Sequence, residues 1–168
     1  NTSGTPIPLA NGDRVRQGDR LSLELSSSED VWVYIVNEDD QGNAFVLFPL
    51  AEAGHRLPLA GGRAHRLPGG ERADLAWIID RPAGLERIHV VASPEPLPDA
   101  QASLAALPNA KLALPGGLSA RGMGALVPAD SRPGAPARAF VQAARRAGGA
   151  EAPVRGVQYR VIELSHGD

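Results

Sequence analysis

Apolar residues in the first half of the chain come in short blocks separated by turn residues, and the blocks are rich in β-branched and aromatic side chains. Val31, Trp32, Val33, Tyr34, Ile35 and Val36 suit a pleated backbone better than a helix, where branching at Cβ costs rotamer freedom. Asn37 to Asn43 then brings two aspartates, a glutamate and Gly42, which bond their own backbone or accept positive φ, and a second apolar run leaves through Ala44 to Phe48. The pattern predicts a hairpin. Val31, Val33 and Ile35 on one side and Trp32, Tyr34 and Val36 on the other are all apolar, so the first arm is expected inside a sheet covered on both faces.

Around the hairpin the same reading repeats. Arg20 to Ser26 alternates Leu21, Leu23 and Leu25 with Ser22 and Glu24, the period of a half-buried strand. His55 to Pro58 recurs as His65 to Pro68 around the turn Ala60 to Gly62, which predicts a pair of short edge strands because proline cannot donate to a ladder. Asp74 to Asp80 sets Leu75, Trp77 and Ile79 on one side, and Leu85 to Ser93 follows the turn Arg81 to Gly84. Short strands at about ten-residue spacing point to an antiparallel sandwich or barrel.

The second half changes character. Residues 94–136 are rich in Pro, Gly and Ala, with a helical turn or two expected around Asp99 to Leu107 and Asp99 as its cap. Leu112, Leu114, Leu118, Met123, Leu126 and Val127 are too many large apolar groups for a solvated linker, so they either complete the core or form an exposed patch for a partner. Lys111 to Leu118, with Pro115, Gly116 and Gly117, reads as a loop, and Met123 to Val127, bounded by Gly122 and Pro128, as a short buried strand. Ala137 to Ala147 reads as a helix with Phe140, Val141 and Ala144 opposite Arg138, Arg145 and Arg146, stopped by Gly148 and Gly149. Val157 to Leu164 closes the pattern as a strand, with Val157, Tyr159 and Val161 on one face and Gln158, Arg160 and Ile162 on the other. Strands on both sides of residues 94–136 predict one domain, 1–168, with a long excursion inside it.

Composition narrows the partners. A chain of 168 residues is large enough for one core, and a formal net charge of -2 gives no general attraction to phosphate backbones, so nucleic acid is not expected. Cysteine is absent, which excludes disulfides and thiolate chemistry and is compatible with an oxidising compartment. No apolar run approaches the roughly 20 residues of a membrane-spanning helix, so membrane insertion is not expected. The numbering opens on Asn1 without methionine or signal-peptide character, from which we expect an upstream leader or domain.

Candidate chemistry is sparse. The turn Asn37 to Gly42 resembles the start of a calcium loop, but the twelfth position, which should be a bidentate glutamate, is Phe48. The 4 histidines, His55, His65, His89 and His166, lack local metal-ligand spacing, and no nucleophile elbow, P-loop or dinucleotide fingerprint is present. No metal or cofactor is expected. Glu24, Asp74, Asp80 and Glu86 could supply a carboxylate pair if two of them converged in a cleft.

The order of motifs resembles a bacterial family, domain of unknown function 4384. The family's strand-turn-strand ending in Leu-Phe-Pro falls on Leu47, Phe48 and Pro49, its alanine-glycine step on Leu57 to Gly61, and its Leu-Pro on Leu67 and Pro68. Its Pro-x-Gly before an apolar strand falls on Pro82, Gly84 and Ile88 to Ala92, and a later Arg-Gly strand start on Arg121, Gly122 and Met123 to Val127. The likeness covers Val15 to Ala92 well. It implies an extracytoplasmic or C-terminal accessory domain of larger bacterial proteins, with no assigned catalytic residues.

Together these readings predict a mainly β, antiparallel, immunoglobulin-like sandwich with one or two peripheral helices. The expected function is a non-catalytic binding or protein-interaction module of a bacterial envelope or multidomain signalling protein, periplasmic or at the cell surface, meeting another protein or a cell-envelope component. Leu112, Leu114, Leu118, Arg121 and Met123 are the expected interaction residues. The alternative is a carboxylate-based hydrolase with a cleft between the sandwich and the second half.

Overall fold

The computed structural model describes residues 7–69, 72, 74–80, 83–113, 119–120, 135–147 and 156–166. Along these the chain forms β1 (Arg14–Val15), β2 (Arg20–Leu21), β3 (Leu23–Ser27), β4 (Trp32–Asp39), β5 (Ala44–Phe48), β6 (Arg63–Leu67), β7 (Ala76–Ile78) and β8 (Gly84–Ser93). Then come α1 (Pro98–Ala105), β9 (Leu112–Ala113), β10 (Ser119–Ala120), α2 (Ala135–Ala147) and β11 (Gln158–His166). The molecule is mainly β, as its residue pattern predicts. Among the described residues a five-stranded sheet runs β1-β11-β8-β4-β5, a four-stranded one β10-β9-β7-β2, and β3 pairs with β6.

The expectation of a wholly antiparallel fold needs one correction. β1 runs parallel to β11, Arg14 opposite Ser165 and Val15 opposite His166, so the large sheet is mixed. Two residues are too short to carry a directional signal in sequence, and the pairing joins distant parts of the chain.

β4 lies between β8 and β5, and Val33, Tyr34, Ile35 and Val36 are all fully buried, which is why both of its faces are apolar. The register puts Ile35, Asn37, Glu86, Ile88, Ile162 and Leu164 on one face of the large sheet. That face meets the smaller sheet, and the indole Nε1 of Trp77 in β7 donates to the Leu47 carbonyl of β5 at 2.9 Å. Tyr34, Val36, His89, Val91 and Tyr159 occupy the opposite face, toward the helices. There the Leu97 N–H, just ahead of α1, donates to the Tyr34 hydroxyl at 3.2 Å. Phe140, Ala143 and Ala144 of α2 are buried while Arg138, Arg145 and Arg146 stay exposed, the amphipathic division expected for that helix.

Local corrections follow from pairing. The expected strand Arg20 to Ser26 breaks at Ser22, because Leu21 pairs with Trp77 while Leu23 pairs with Leu67 in a different ladder. The leucines keep facing inward as their partners change. Of the two His-Arg-Leu-Pro copies, the second forms β6 against β3 and the first forms no strand. They meet through one hydrogen bond instead, His55 Nε2–H to the Pro68 carbonyl, while His55 Nδ1 accepts from the Leu50 N–H at 2.9 Å. Asp99 is not the cap of α1; the N-cap is Leu97, and Asp99 sits in the first turn, where a carboxylate still favours the helix N-terminus. Lys111 to Leu118 does not begin as a loop, since Leu112 and Ala113 form β9 against Trp77 and Ala76 of β7. Leu126 and Val127 lie outside the described residues.

Candidate functional site

A cavity of about 120 Å³ lies where the two larger sheets face each other. β4, β5 and β8 bring Asn37, Phe45, Leu47, Glu86 and Ile88; β2 and β7 with the residues after it bring Leu21, Trp77, Ile79 and Asp80; Asn109 to Lys111 close the third side. The lining is mostly apolar because these are core-facing positions of strands. Asn37 and Glu86 are the exceptions, polar residues placed at the inward parity of otherwise apolar strands.

Sheet register explains how they meet. Asn37 lies opposite Ile88, so Glu86 is its diagonal neighbour on the same face, within reach of a side-chain hydrogen bond. Asn37 Nδ2 donates to Glu86 Oε2 at 2.6 Å. Behind Glu86 stands His166 of β11, Nε2 at 3.4 Å from Oε1, its side chain wholly buried and that of Glu86 8% exposed. An ionised carboxylate only accepts, so it fixes the Asn37 amide with NH₂ toward Glu86 and leaves Oδ1 on the other side. Oδ1 is buried and receives no hydrogen bond from the described residues. Leaving such an acceptor unpaired costs about 1 to 3 kcal/mol. At the rim, Lys111 Nζ pairs with Asp80 Oδ2 at 2.5 Å, both side chains substantially exposed.

Of the carboxylates considered from sequence, Asp80 and Glu86 therefore share this cavity. Glu24 is exposed opposite Arg66 in the β3–β6 ladder, and Asp74 pairs with Arg72 at 3.5 Å. Leu112, expected as an interaction residue, is 3% exposed and packs in the core opposite Trp77, so it is not a surface contact. Its apolar character reflects β9 completing the smaller sheet. Leu114, Leu118, Arg121 and Met123 lie outside the described residues.

A second polar cluster sits on the opposite face of the large sheet. His89 Nε2 bonds Glu38 Oε2 at 2.9 Å and His89 Nδ1 bonds the Tyr159 hydroxyl at 2.7 Å, while the Arg145 guanidinium lies 5.9 Å from the Tyr159 ring centre. With Glu38 accepting, Nε2 carries the proton and Nδ1 accepts from the phenol. Burial raises the Tyr159 pKa, against the lowering effect of Arg145 and together with the nearby Glu38 charge. The phenol stays protonated, and the cluster ties β4, β8, β11 and α2 together. His65 Nε2 bonds the Ala60 carbonyl at 2.7 Å, and no group of three metal-ligating side chains occurs among the described residues. In the acidic turn, Asp39 Oδ1 accepts from the backbone N–H groups of Gln41 and Asn43 at 2.9 and 2.8 Å, and Gly42 adopts φ 80. Its own turn thus donates to that carboxylate.

Residues 14–96 match the family model described as "Domain of unknown function (DUF4384)". The matched span runs from β1 past β8 and includes Asn37, Trp77, Asp80 and Glu86, but not Lys111 or β11. No curated protein and no solved structure matches the chain.

Proposed function

Starting from the chain's membership of the DUF4384 family, carried by residues 14–96, we propose that it is a non-catalytic binding module of a bacterial envelope or multidomain signalling protein. It acts outside the cytoplasm on another protein or a cell-envelope component, with an immunoglobulin-like sandwich as the rigid frame for that contact. The observation that carries this reading is the inter-sheet cavity, apolar in most of its lining and carrying a few polar side chains, Asn37, Asp80, Glu86, Asn109 and Lys111. Concave apolar sites with a few placed polar groups are where ligands and partner side chains bind.

The convergence of Asp80 and Glu86 favours the second reading, a carboxylate-based hydrolase. Against it, each carboxylate is held by an internal partner: Lys111 for Asp80, Asn37 for Glu86. A hydrolase needs one of the two protonated and poised toward substrate. The test has two arms. A photo-crosslinking residue placed at Asn109, on the cavity wall, should give a discrete adduct in bacteria producing the protein, and purified protein should leave glycoside, ester and peptide substrates intact. Turnover that disappears in both Asp80→Asn and Glu86→Gln would establish the hydrolase instead.

A further inference from the structure

We propose that the outer edge of β2 and β3 is a self-association surface, on which two copies of the chain pair antiparallel about Ser22 and set Arg20 of each against Glu24 of the other. The proposal goes beyond the binding-module reading and does not depend on it. Backbone direction defines the edge. The Asp19 carbonyl accepts from the Ile79 N–H at 3.0 Å and the Ser27 carbonyl from the Gly62 N–H at 2.8 Å, so the odd positions at both ends of this stretch turn their backbone groups toward β7 and β6. In an extended chain the alternate residues turn theirs the opposite way. Arg20, Ser22 and Glu24 therefore present N–H and C=O groups on the side away from both ladders, where no backbone hydrogen bond meets them among the described residues.

Side chains along the edge call for a cover. Arg20, Ser22, Glu24 and Ser26 are exposed, while Leu21, Leu23 and Leu25 pack on the core yet stay half-buried, because the sheet ends beside them. A strand added here covers the open flanks of the leucines. Edges that must stay single are guarded by proline, lysine, a bulge or shortness, and Arg20 to Ser26 contains neither proline nor lysine. By contrast, β5 is met at Val46 by Pro108 and Ala110, and β1 and β10, the other outer strands of the two larger sheets, have 2 residues each. Charge then selects the occupant and its register. Arg20 and Glu24 stand symmetrically about Ser22, so the edge is complementary to itself: antiparallel pairing about Ser22 places Arg20 opposite Glu24 at both ends and Leu21 opposite Leu23 on the inward face. Pairing about Glu24 would oppose two glutamates, and the outer edge of β6, with Arg63 and Arg66, has formal charges of one sign only. The Arg20 guanidinium bonds the Asp74 carbonyl through Nη2 at 2.5 Å, which leaves its other N–H groups for a carboxylate.

The experiment uses the full chain. One edge pairing is a small interface of the weak class, so sedimentation equilibrium is read up to about 1 mM protein. A monomer–dimer equilibrium is expected, and it should weaken as NaCl is raised because the ion pairs are exposed. Arg20→Glu and Glu24→Arg each turn both attractive pairs into repulsive ones and should weaken self-association by about tenfold or more. The double variant Arg20→Glu/Glu24→Arg should recover it, and an equimolar mixture of the two single variants should form a mixed dimer. Since the double variant also lacks the Arg20 bond to Asp74, its recovery separates pairing from damage to the fold. The chain has no cysteine of its own, so Ser22→Cys, which lies opposite itself in a hydrogen-bonded pair, should give a disulfide-linked dimer on mild oxidation, and Ser26→Cys should give little. A wild type that stays monomeric at the highest concentration, single reversals that leave self-association unchanged, a double variant as weak as the singles, or faster linking through Ser26→Cys than through Ser22→Cys would each overturn the proposal.

Discussion

Replacing Phe48 with alanine tests the packing on which the hairpin depends. Phe48 is 1% exposed at the end of β5, opposite Ile35, and its ring lies 4.6 Å from the His55 ring at an interplanar angle of 40°. Truncation removes buried apolar surface and leaves a cavity the neighbouring strand cannot close, since Ile35 is fixed between two ladders. The cost for a phenylalanine of this burial is about 3 to 5 kcal/mol. For 168 residues, at roughly 2.1 cal/mol/K per residue, the unfolding entropy is about 350 cal/mol/K, so the midpoint should fall by about 8 to 14 °C. Differential scanning calorimetry with urea titration monitored by circular dichroism reads both quantities. A loss below about 1 kcal/mol with unchanged m-value would mean that the ring is not a core member and that the β4–β5 register is wrong.

Three further outcomes are expected. Tyr34→Phe removes the hydroxyl that accepts from the Leu97 N–H, leaving a donor ahead of α1 unpaired, and should cost about 1 to 3 kcal/mol in urea unfolding, with α1 amides exchanging faster. Burial lowers the His55 pKa, with the hydrogen bond to the Pro68 carbonyl opposing, so the folded state binds fewer protons than the unfolded one. Its contribution is therefore intact above the unfolded value of 6.5 and is lost as pH falls below it toward the folded pKa, and a pH series of urea midpoints should show a smaller acid decline in His55→Gln than in wild type. Gly61→Ala would put a Cβ 2.5 Å from the Glu29 carbonyl carbon, and should lower stability by about 1 to 3 kcal/mol, where an equal stability to wild type would show the two loops are not in contact.

What could be read from the residues was whatever depends on local period and composition. The hairpin, β8, α2 and β11 all carry a run of six or more patterned residues, and those, with the shorter β7, appear at or near their expected places. Pairing was less legible because it depends on distant partners. Nothing near Ser22 announces that the chain changes ladders there, and the identical letters of His55 to Pro58 and His65 to Pro68 conceal different fates, one a loop bolted by its histidine and the other a strand. The cavity was half visible. Asp80 and Glu86 are visible in sequence as candidate carboxylates, whereas Asn37 reads as part of a turn although it occupies an inward position of β4. The signal that could have found it is a polar residue at core parity in each of two neighbouring strands, and seeing it requires the strand register. Lys111 reaches Asp80 across 31 positions of sequence, a contact no local pattern encodes.

The seam between β1 and β11 bears on how the protein is made. The Asn11 side chain accepts from the Glu163 N–H across 152 positions, and Arg14 and Val15 wait for Ser165 and His166 as ladder partners. During synthesis, then, β8 spends the time needed to translate the helices with one long apolar flank unpaired, β4 on one side and nothing yet on the other. An open ten-residue edge is a template for joining another chain. The last strand thus acts as a closure against self-association, and chains stopped before Gln158 should be lost to aggregates even though the residues around the cavity have already been made.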